Sequence, residues 1–533
     1  SITTRPKTLS TQLTLLIVAL FFARAGLVRL TRPLADFYTA GRLVPALLNS
    51  VAIASSSLAV IVFIGGAGAL GPGWHGIILL LLGTSLGLVL AGLLIAPYLR
   101  GYGGYTLPDF LAERFGAGTL RPLAAFAIFA CSFPALAAVV LAFGLLGEAA
   151  FDVPVRFGLA AGIVMVLVAT LLGGMRSLSL SQIAYYVVTL LAGLIAIVTA
   201  LWQTGSLMAA ETLLIDEAVP ALSWRPFEQT SPISGIALFA CLTMGFASLP
   251  FLLMRGFTAP DAADARASFL GAPIFLLLLC GAAPAFAALY EAAFIAPDDA
   301  LGMIAQAILV TGASAALLSC GAALALAMGN VLSHDFYFKI CNPQASASRQ
   351  LFAARISVLL VALCAGAGAL MWPHATILGA AMALSLAASA FLPVLVLAIW
   401  SRRFGSDAAA AGMIAGIVVC LYYMVAPHTV PIWFYESSSF LSNASQADVA
   451  AYEALREAYY LAAGADARAA LLTKWKAAAL PMANWFGVHG ALASVFAVPV
   501  GFAVAVITGL FTAASSHRRQ TFVESLRRET GTA

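Results

Sequence analysis

Long apolar runs, each about the length needed to cross a lipid bilayer, dominate this sequence. The stretch from Ile77 to Pro97, for example, contains no charged residue. A membrane-crossing helix needs about 20 mainly apolar residues, because a rise of about 1.5 Å per residue must cover about 30 Å of hydrocarbon. The runs lack the alternation of polar and apolar positions that is typical of membrane β-strands. The pattern therefore predicts an all-α, polytopic membrane protein.

Thirteen spans are predicted. The overall composition agrees, since 62% of residues are hydrophobic and 9% are charged, whereas a soluble domain has about a quarter charged residues. The expected surroundings are therefore membrane lipid. The net charge of +4 is too small to indicate a nucleic-acid partner. The predicted spans cover approximately residues 10–28, 43–70, 75–99, 120–147, 155–174, 180–203, 234–258, 266–291, 311–338, 350–372, 375–400, 408–428 and 486–513.

The basic residues indicate the orientation of the spans. When successive connections are assigned to alternate sides, most of the 27 Lys and Arg residues fall on one side. The positive-inside rule makes that side cytoplasmic, which predicts an inner-membrane protein with its N-terminus outside and its C-terminus inside. A signal peptide ending near Ala23 to Ala25 is the alternative for the first span, but its cleavage would leave Arg29, Arg32 and Arg42 outside.

Ionisable side chains are scarce in the predicted spans. Their deep parts hold no residue that could act as a general base, a proton relay or a metal ligand, which predicts that the protein is not an enzyme and argues against proton coupling. No GxxxxGK[ST] motif is present, so an ATP-driven pump is set aside too. Five residues lie near helix ends, where they are expected to reach the membrane interface: Arg255, His334, Asp335, Arg355 and His489.

Two of the spans are predicted to be interrupted. The second contains Ser55 to Ser57 followed by Gly65 and Gly66, and the seventh contains Gly245 to Pro250. Pro250 removes a helix hydrogen bond, and clustered small residues tolerate exposed backbone. Because the two spans are an odd number of crossings apart, they run in opposite directions, as in the inverted repeats of secondary transporters. The alternative is that small residues only allow close helix packing.

Several motifs resemble signatures of the sodium/solute symporter family. These are Ala35 to Arg42, Tyr105 to Leu111, and Gly173 to Ser177. The segments Leu253 to Asp261 and Leu332 to Tyr337 are similar to the monocarboxylate, acetate-permease-like branch of that family. The resemblance extends from about residue 35 to about residue 528. It implies a LeuT-like fold of thirteen helices with a 5+5 inverted repeat, and co-transport of sodium with a solute.

The resemblance also implies a sodium site, formed by backbone carbonyls of Ala54 and Ser57 and by the side chains of Ser319 and Cys320. The thiol of Cys320 departs from the family pattern, because sulfur is a poor ligand for a hard cation.

Three further positions depart from the pattern, because Ser56, Phe251 and Ala322 stand where many relatives carry Asp, His and Asp. Either sodium still binds through carbonyls and serine hydroxyls, which is the leading hypothesis, or the protein is a sodium-independent carrier.

Candidate substrate contacts lie near the two predicted breaks. Since no buried cation is expected, an anionic group would be held by hydroxyls and by N–H groups at a helix break, which favours a small organic anion such as a monocarboxylate. For each serine the alternative is a hydrogen bond to its own helix, and for the phenylalanine it is packing. The candidates are Ser55, Ser56, Thr243, Phe246 and Ser248.

The chain is predicted to divide into an N-terminal extra helix (residues 1–34), a transport core (35–400) and a C-terminal part (401–533). That last part has two helices, an external loop over 429–485 and a cytoplasmic tail. Within the loop, residues 452–458 have the pattern of an amphipathic surface helix. The function that fits best is secondary active transport, and the alternative from another class is a non-transporting sensor or structural membrane protein.

Overall fold

The protein, described here by a computed structural model, is almost entirely helical over residues 33–64, 74–116, 118–204, 232–280, 300–512 and 517–529. A 3-10 segment, Met254–Thr258, continues the short helix Pro250–Leu253, and a π-helical segment, Val331–Cys341, continues the long helix Ala300–Asn330. The helices are α1 Leu34–Thr39, α2 Ala46–Ile64, α3 Trp74–Leu94, α4 Ala96–Tyr102, α5 Leu107–Phe115, α6 Leu120–Phe151, α7 Val155–Leu171, α8 Gly174–Thr204, α9 Pro232–Ser248, α10 Pro250–Leu253, α11 Ala262–Cys280, α12 Ala300–Asn330, α13 Ala347–Met371, α14 Pro373–Trp400, α15 Ser406–Thr429, α16 Pro431–Ser438, α17 Gln446–Leu461, α18 Ala465–Ala479, α19 Ser494–Phe511 and α20 His517–Glu529.

The predicted membrane spans are present as helices. Within the described residues, nine helices are long and apolar enough to cross a membrane. Two bent helix pairs meet the same criterion when each pair is taken as one span, and α7 is a shorter apolar helix. Together they coincide one to one with the second to thirteenth predicted spans. The first predicted span, 10–28, lies outside the described residues.

The seventh predicted span is broken as expected, with α9 ending at Ser248, α10 beginning at Pro250 and a bend of 42° between them. The proline has no N–H and its ring prevents a regular helix. The backbone N–H groups of Leu252 and Leu253 both donate to the carbonyl of Leu249 instead. Since Pro250 donates nothing, the carbonyl of Phe246 has lost its usual partner four residues ahead.

The second predicted span differs from expectation at its serines. Helix α2 runs unbroken from Ala46 to Ile64, so the interruption predicted at Ser55 to Ser57 is wrong. The hydroxyls of Ser56 and Ser57 donate to carbonyls of the preceding turn, an arrangement that a regular helix accommodates. Gly65 and Gly66, where a break was also expected, lie outside the described residues.

The five-span halves of the core are α1 to α8 and α9 to α14, and helices in equivalent positions of the two halves make equivalent contacts. In one group α2 packs against α11 and α3 packs against α9, which are equivalent contacts when the halves are exchanged. In the other group α6 packs on α7 and α12 packs on α13, again as equivalent pairs, and α12 also contacts α6. This pattern confirms the LeuT-like inverted repeat. The broken pair of α9 and α10 connects the two groups, because α9 packs in the first group and α10 contacts α12 of the second.

The C-terminal helices lie beside this core. Helices α15 and α19 pack on each other and on α14. The segment between them forms α16, α17 and α18, whose small core contains Tyr435, Tyr452 and Trp475. Apart from Tyr452, the residues of α17 are exposed or half-buried, which confirms the predicted amphipathic helix. At the opposite end α20 is tied to α14, because Arg527 donates to the carbonyl of Ile399.

Candidate functional site

A cavity lies at the break between α9 and α10, where α2, α6, α12 and α14 also converge. Its lining is almost entirely apolar, and among the described residues that form it the polar side chains are those of Cys131, Ser132 and Cys320. Such a lining suits a small solute with an apolar part and a single polar end. The lining residues are Val60, Cys131, Ser132, Ala135, Val139, Leu249, Phe251, Cys320, Leu324, Ala383 and Leu384.

The five substrate candidates from the sequence are not among these lining residues. The hydroxyl of Ser56 donates to the carbonyl of Ala52 at 2.7 Å, and that of Ser248 donates to the carbonyl of Met244 at 2.7 Å. Both serines are therefore bonded to their own helices, and both are completely buried.

Thr243 and Phe246 hold α9 against α3. The hydroxyl of Thr243 donates to the carbonyl of Gly83 at 3.3 Å. A methyl group added at Gly87 would lie 2.7 Å from Cβ of Phe246 and 2.6 Å from the carbonyl oxygen of Thr243. The two helices thus approach closely at glycine positions, and these two candidates contribute to that packing.

Ser55 connects α2 to α12 in the region of the expected sodium site. Its hydroxyl donates a hydrogen bond of 2.9 Å to the hydroxyl oxygen of Ser319. The side chain of Gln182, on α8, donates to the carbonyl of Ser319 at 2.9 Å. The structure therefore gathers hydroxyl oxygens of α2 and α12, and the side-chain amide of Gln182 on α8, around one residue of the expected site.

The other residues of the expected sodium site are arranged differently. Ala54 and Ser57 lie inside the regular part of α2, and both are completely buried. Their carbonyls point along the helix axis, as in any regular α-helix, and each carbonyl oxygen keeps a second lone pair that can bind a cation. The side chain of Cys320 lines the cavity beside Leu324.

Sequence reasoning did not select Ser132 or Leu249, although both line the cavity. Ser132 is 2% exposed, and its hydroxyl lies 3.7 Å from the sulfur of Cys131. The signal in the sequence was the polar residue ahead of Pro134 in an otherwise apolar span. Phe251 was noted only as a departure from the family pattern, and the structure places it in the cavity wall.

A network of buried and half-buried charges joins three segments at one end of the bundle, namely α5 with its N-cap, α6 and the π-helical segment. Arg121 donates to Asp335 at 2.6 Å and to Asp109 at 2.9 Å, so one guanidinium bridges two carboxylates. The hydroxyl of Thr106 donates to the second oxygen of Asp335 at 2.6 Å. We name Thr106, Asp109, Arg121 and Asp335 the closing network. It brings together the motifs around Tyr105 and Leu332 that stand far apart in the sequence.

Aromatic residues and one histidine surround the closing network. The ring of His334 packs edge to face on Tyr105, with the centroids 5.2 Å apart, and on Tyr38, with the centroids 5.7 Å apart. The hydroxyl of Tyr38 donates to the hydroxyl of Ser333 at 2.9 Å. Asp36, in the same motif as Tyr38, forms an ion pair with Arg176, with 2.6 Å between the nitrogen and the oxygen.

Asp109 is ionised in the closing network. Burial by itself raises the pKa of its carboxyl, but the neighbouring His334, Lys339 and Arg121 outweigh burial and hold that pKa below its usual range. The carboxylate oxygens of Asp109 lie 3.4 Å from Nε2 of His334 and 3.8 Å from Nζ of Lys339. The network therefore has a stable ion pair at neutral pH.

Three ionisable residues that were expected at the membrane interface are instead buried. Arg255 is 1% exposed, His334 is 3% exposed and Asp335 is completely buried. The prediction that they reach the interface is wrong because neighbouring segments cover them, with α8 contributing Ser179 and Gln182 around Arg255. Arg255 is thus a buried cation, contrary to the expectation that the bundle holds none.

Comparisons with known proteins agree with this architecture. The profile of the sodium:solute symporter family matches residues 37–416. An uncharacterised symporter of Cupriavidus necator is 26% identical over an alignment of 663 residues, covering 93% of this chain and 91% of the relative. A monocarboxylic acid transporter of Corynebacterium glutamicum is 28% identical over 431 residues, covering 72% of this chain and 77% of the relative. The structure of a Na⁺-coupled sialic acid symporter, substrate-bound and outward-open, has the same fold, with a TM-score of 0.66 and 14% identity. The match covers 94% of this chain and 98% of that symporter.

Proposed function

The chain belongs to the sodium:solute symporter family, and from this we propose that it carries a small monocarboxylate across the cell membrane together with sodium. Membership makes it a solute symporter and a transporter rather than an enzyme. The substrate class and the coupling ion are our proposal, which rests on the cavity and on the contacts of Ser319.

The observation that carries the proposal is the apolar cavity at the break beside Pro250. A helix break leaves backbone groups without helical partners, and transporters of this fold use such groups to bind solutes in mid-membrane. The cavity wall offers few polar atoms apart from the hydroxyl of Ser132. A sugar would leave most of its hydroxyls without partners in such a cavity, which would cost binding free energy, whereas a short monocarboxylate has one polar end only.

A relative supports the substrate class, because the similar protein of Corynebacterium glutamicum is named a monocarboxylic acid transporter. The sialic acid symporter with the same fold is described as coupled to sodium. In this chain Ser319 and its neighbours would supply sodium with hydroxyl and carbonyl oxygens, which are the ligands that a hard cation prefers. Ala54, Ser57 and Cys320 complete the proposed site.

Two alternatives remain distinct from the proposal. A sodium-independent carrier would use the same cavity, and the replacement of ionisable residues by Ser56, Ala322 and Phe251 favours it. A non-transporting sensor would bind the solute without moving it. The first alternative predicts transport without a sodium effect, and the second predicts binding without exchange.

For the membrane arrangement we propose an inner-membrane protein with its N-terminus outside and its C-terminus in the cytoplasm. Residues 1–34 would form an extra helix, 35–400 the transport core and 401–533 the C-terminal part. In that orientation the closing network and α20 lie on the cytoplasmic side, and the segment with α16 to α18 lies outside. The network would then keep the cytoplasmic end closed while solute enters from outside.

The test is uptake by purified protein in proteoliposomes. We expect [14C]acetate, [14C]propionate or [14C]pyruvate to enter and to exchange with unlabelled monocarboxylate inside the vesicles, while [14C]glucose does not. Saturable binding of these anions without exchange would contradict the carrier proposal and favour a sensor. Entry of glucose at a similar rate would contradict the proposed substrate class.

A further inference from the structure

Arg255 is a buried positive charge close to the cavity. It lies in the 3-10 segment Met254–Thr258, which directly continues α10, and it is 1% exposed. A charged side chain inside a membrane bundle is costly and usually marks a functional site or a paired ion. The surroundings of the guanidinium therefore decide what it does.

The partners of this guanidinium are neutral. Nη1 donates to the hydroxyl oxygen of Ser179 at 2.8 Å, and Nη2 donates to Oε1 of Gln182. Among the residues that the structure describes, no carboxylate forms an ion pair with Arg255. A guanidinium has five N–H donors, so the two bonds leave donors for an additional acceptor.

A second buried arginine shows what a structural role looks like in the same protein. Arg114 is completely buried, and its guanidinium donates to the carbonyls of Ala398 and Ser401, at 2.8 Å each. These carbonyls lie at the C-terminal end of α14, where the helix dipole is negative and favours a cation. Arg114 thus has backbone acceptors that suit its charge, whereas Arg255 has two neutral side chains.

The position of Arg255 links the cavity to the proposed sodium site. Phe251, in the cavity wall, precedes it by one helical turn, which corresponds to about 6 to 8 Å along the helix. On its other side Gln182 contacts both Arg255 and the carbonyl of Ser319. A ligand bound in the cavity would therefore lie near the guanidinium and near the residues proposed for sodium.

We propose that Arg255 is the residue that binds the carboxylate of the transported anion, in a subsite next to the apolar cavity. This inference rests on the proposed function, since it requires an anionic substrate. Guanidinium and carboxylate groups match in shape and form two parallel, charge-assisted hydrogen bonds. The apolar tail of the anion would occupy the cavity beside Phe251, and the carboxylate would supply the negative charge that the surroundings of Arg255 lack.

The test compares substitutions at Arg255 with a matched substitution at Arg114. Purified full-length protein in nanodiscs is titrated with [14C]acetate and [14C]propionate, and thermal unfolding is followed in parallel. We expect Arg255→Met to weaken binding at least tenfold and Arg255→Lys to weaken it less, because lysine keeps the charge but loses the planar fork. Arg114→Met should leave the affinity unchanged.

Thermal unfolding separates a binding role from a structural one. Removing a buried charge that has no ion-pair partner relieves its desolvation cost, which offsets the lost hydrogen bonds to Ser179 and Gln182, so Arg255→Met should keep the unfolding temperature in the absence of ligand. Arg114→Met should lower it, because two helix-end carbonyls lose their donor.

The outcomes also separate this inference from the proposed function. Equal affinity for acetate and propionate in Arg255→Met and in the unsubstituted protein would overturn the role of Arg255 while leaving monocarboxylate transport intact. A loss of both affinity and thermal stability in Arg255→Met would also overturn it, in favour of a structural role. If the unsubstituted protein neither binds nor takes up any monocarboxylate, the proposed function fails, and the assignment of Arg255 fails with it.

Discussion

The hydroxyl of Ser55 donates to that of Ser319 at 2.9 Å, and this bond joins α2 to α12. Ser55 lies in the first of the two helix groups of the core, and Ser319 lies in the second. Ser319 also accepts, through its carbonyl, a hydrogen bond from Gln182. A cation that binds at Ser319 would thus act on the contact between the two groups, which is where alternating access requires movement.

Ser319→Ala should weaken sodium binding. The substitution removes one hydroxyl ligand and the bond to Ser55, so we expect the sodium concentration for half-maximal uptake to rise about tenfold, which corresponds to about 1.4 kcal/mol. The measurement is initial uptake of [14C]acetate over a range of sodium concentrations. Ser56→Ala is the control and should change little, because the hydroxyl of Ser56 bonds only within its own helix. An unchanged sodium dependence in Ser319→Ala would contradict the site.

Ser132→Ala should weaken substrate binding. The hydroxyl of Ser132 is a polar group in the wall of an otherwise apolar cavity, and a hydrogen bond from it to the carboxylate, in addition to those from Arg255, would contribute about 1.5 to 3 kcal/mol. We therefore expect the KM for uptake to rise about tenfold or more. Ser248→Ala is a matched control at the helix break, since its hydroxyl is bonded to the carbonyls of Met244 and Gly245. A larger effect in Ser248→Ala than in Ser132→Ala would favour the contacts chosen from the sequence.

Asp109→Asn should destabilise the closing network at neutral pH. Losing the bond to this carboxylate costs about 1.5 to 3 kcal/mol, the contribution of a hydrogen bond between charged groups, while Arg121 keeps Asp335 as its second partner. Since the pKa of Asp109 is held below its usual range, the native state binds fewer protons there than the unfolded state. The stabilisation is therefore present above the unfolded pKa of about 3.9 and is lost as the pH falls through the native pKa.

The measurement for this prediction is the unfolding temperature of both proteins between pH 8 and pH 3. We expect a constant difference down to about pH 5 and a smaller one below about pH 4. Glu113→Gln, an exposed change on the same helix, is the control and should leave the unfolding temperature unchanged. A difference between Asp109→Asn and the unsubstituted protein that widens in acid would contradict the ionised state of Asp109.

Gly87→Ala should destabilise the contact between α3 and α9. The added methyl group would lie 2.6 Å from the carbonyl oxygen of Thr243, so the helices would have to separate, at a cost of about 1 to 3 kcal/mol. Gly368→Ala is the control, because its methyl group would have its nearest neighbour at 3.6 Å. We expect a lower unfolding temperature for Gly87→Ala only. Equal stability of the two variants would contradict the close helix approach.

The sequence was sufficient to predict the membrane spans that lie in the described residues and one of the breaks. Hydropathy alone locates the membrane spans, because the length of an apolar run is set by the thickness of the bilayer. Pro250 predicts the break between α9 and α10, since a proline inside a helix always removes a hydrogen bond. The serines of α2 gave a misleading signal, because a serine bonded to its own helix and a serine at a break look the same in a sequence.

The contacts of the site could not be predicted from the sequence. Thr106 and Asp335 are separated by 229 positions, and no local pattern indicates that they meet. Arg255 follows a run of apolar residues near a predicted helix end, and its burial depends on how α4, α8 and α11 pack around it. Ser132 was visible as a polar residue in an apolar span, whereas its place in the cavity wall depends on how α6 is rotated.

The most direct test of the central claim is [14C]acetate uptake into proteoliposomes with and without an inward sodium gradient, at equal ionic strength and with the membrane potential clamped. The sodium-coupled account predicts that the gradient drives accumulation above equilibrium and that replacing sodium by potassium abolishes it. Equal initial rates and no accumulation under both conditions would contradict sodium coupling.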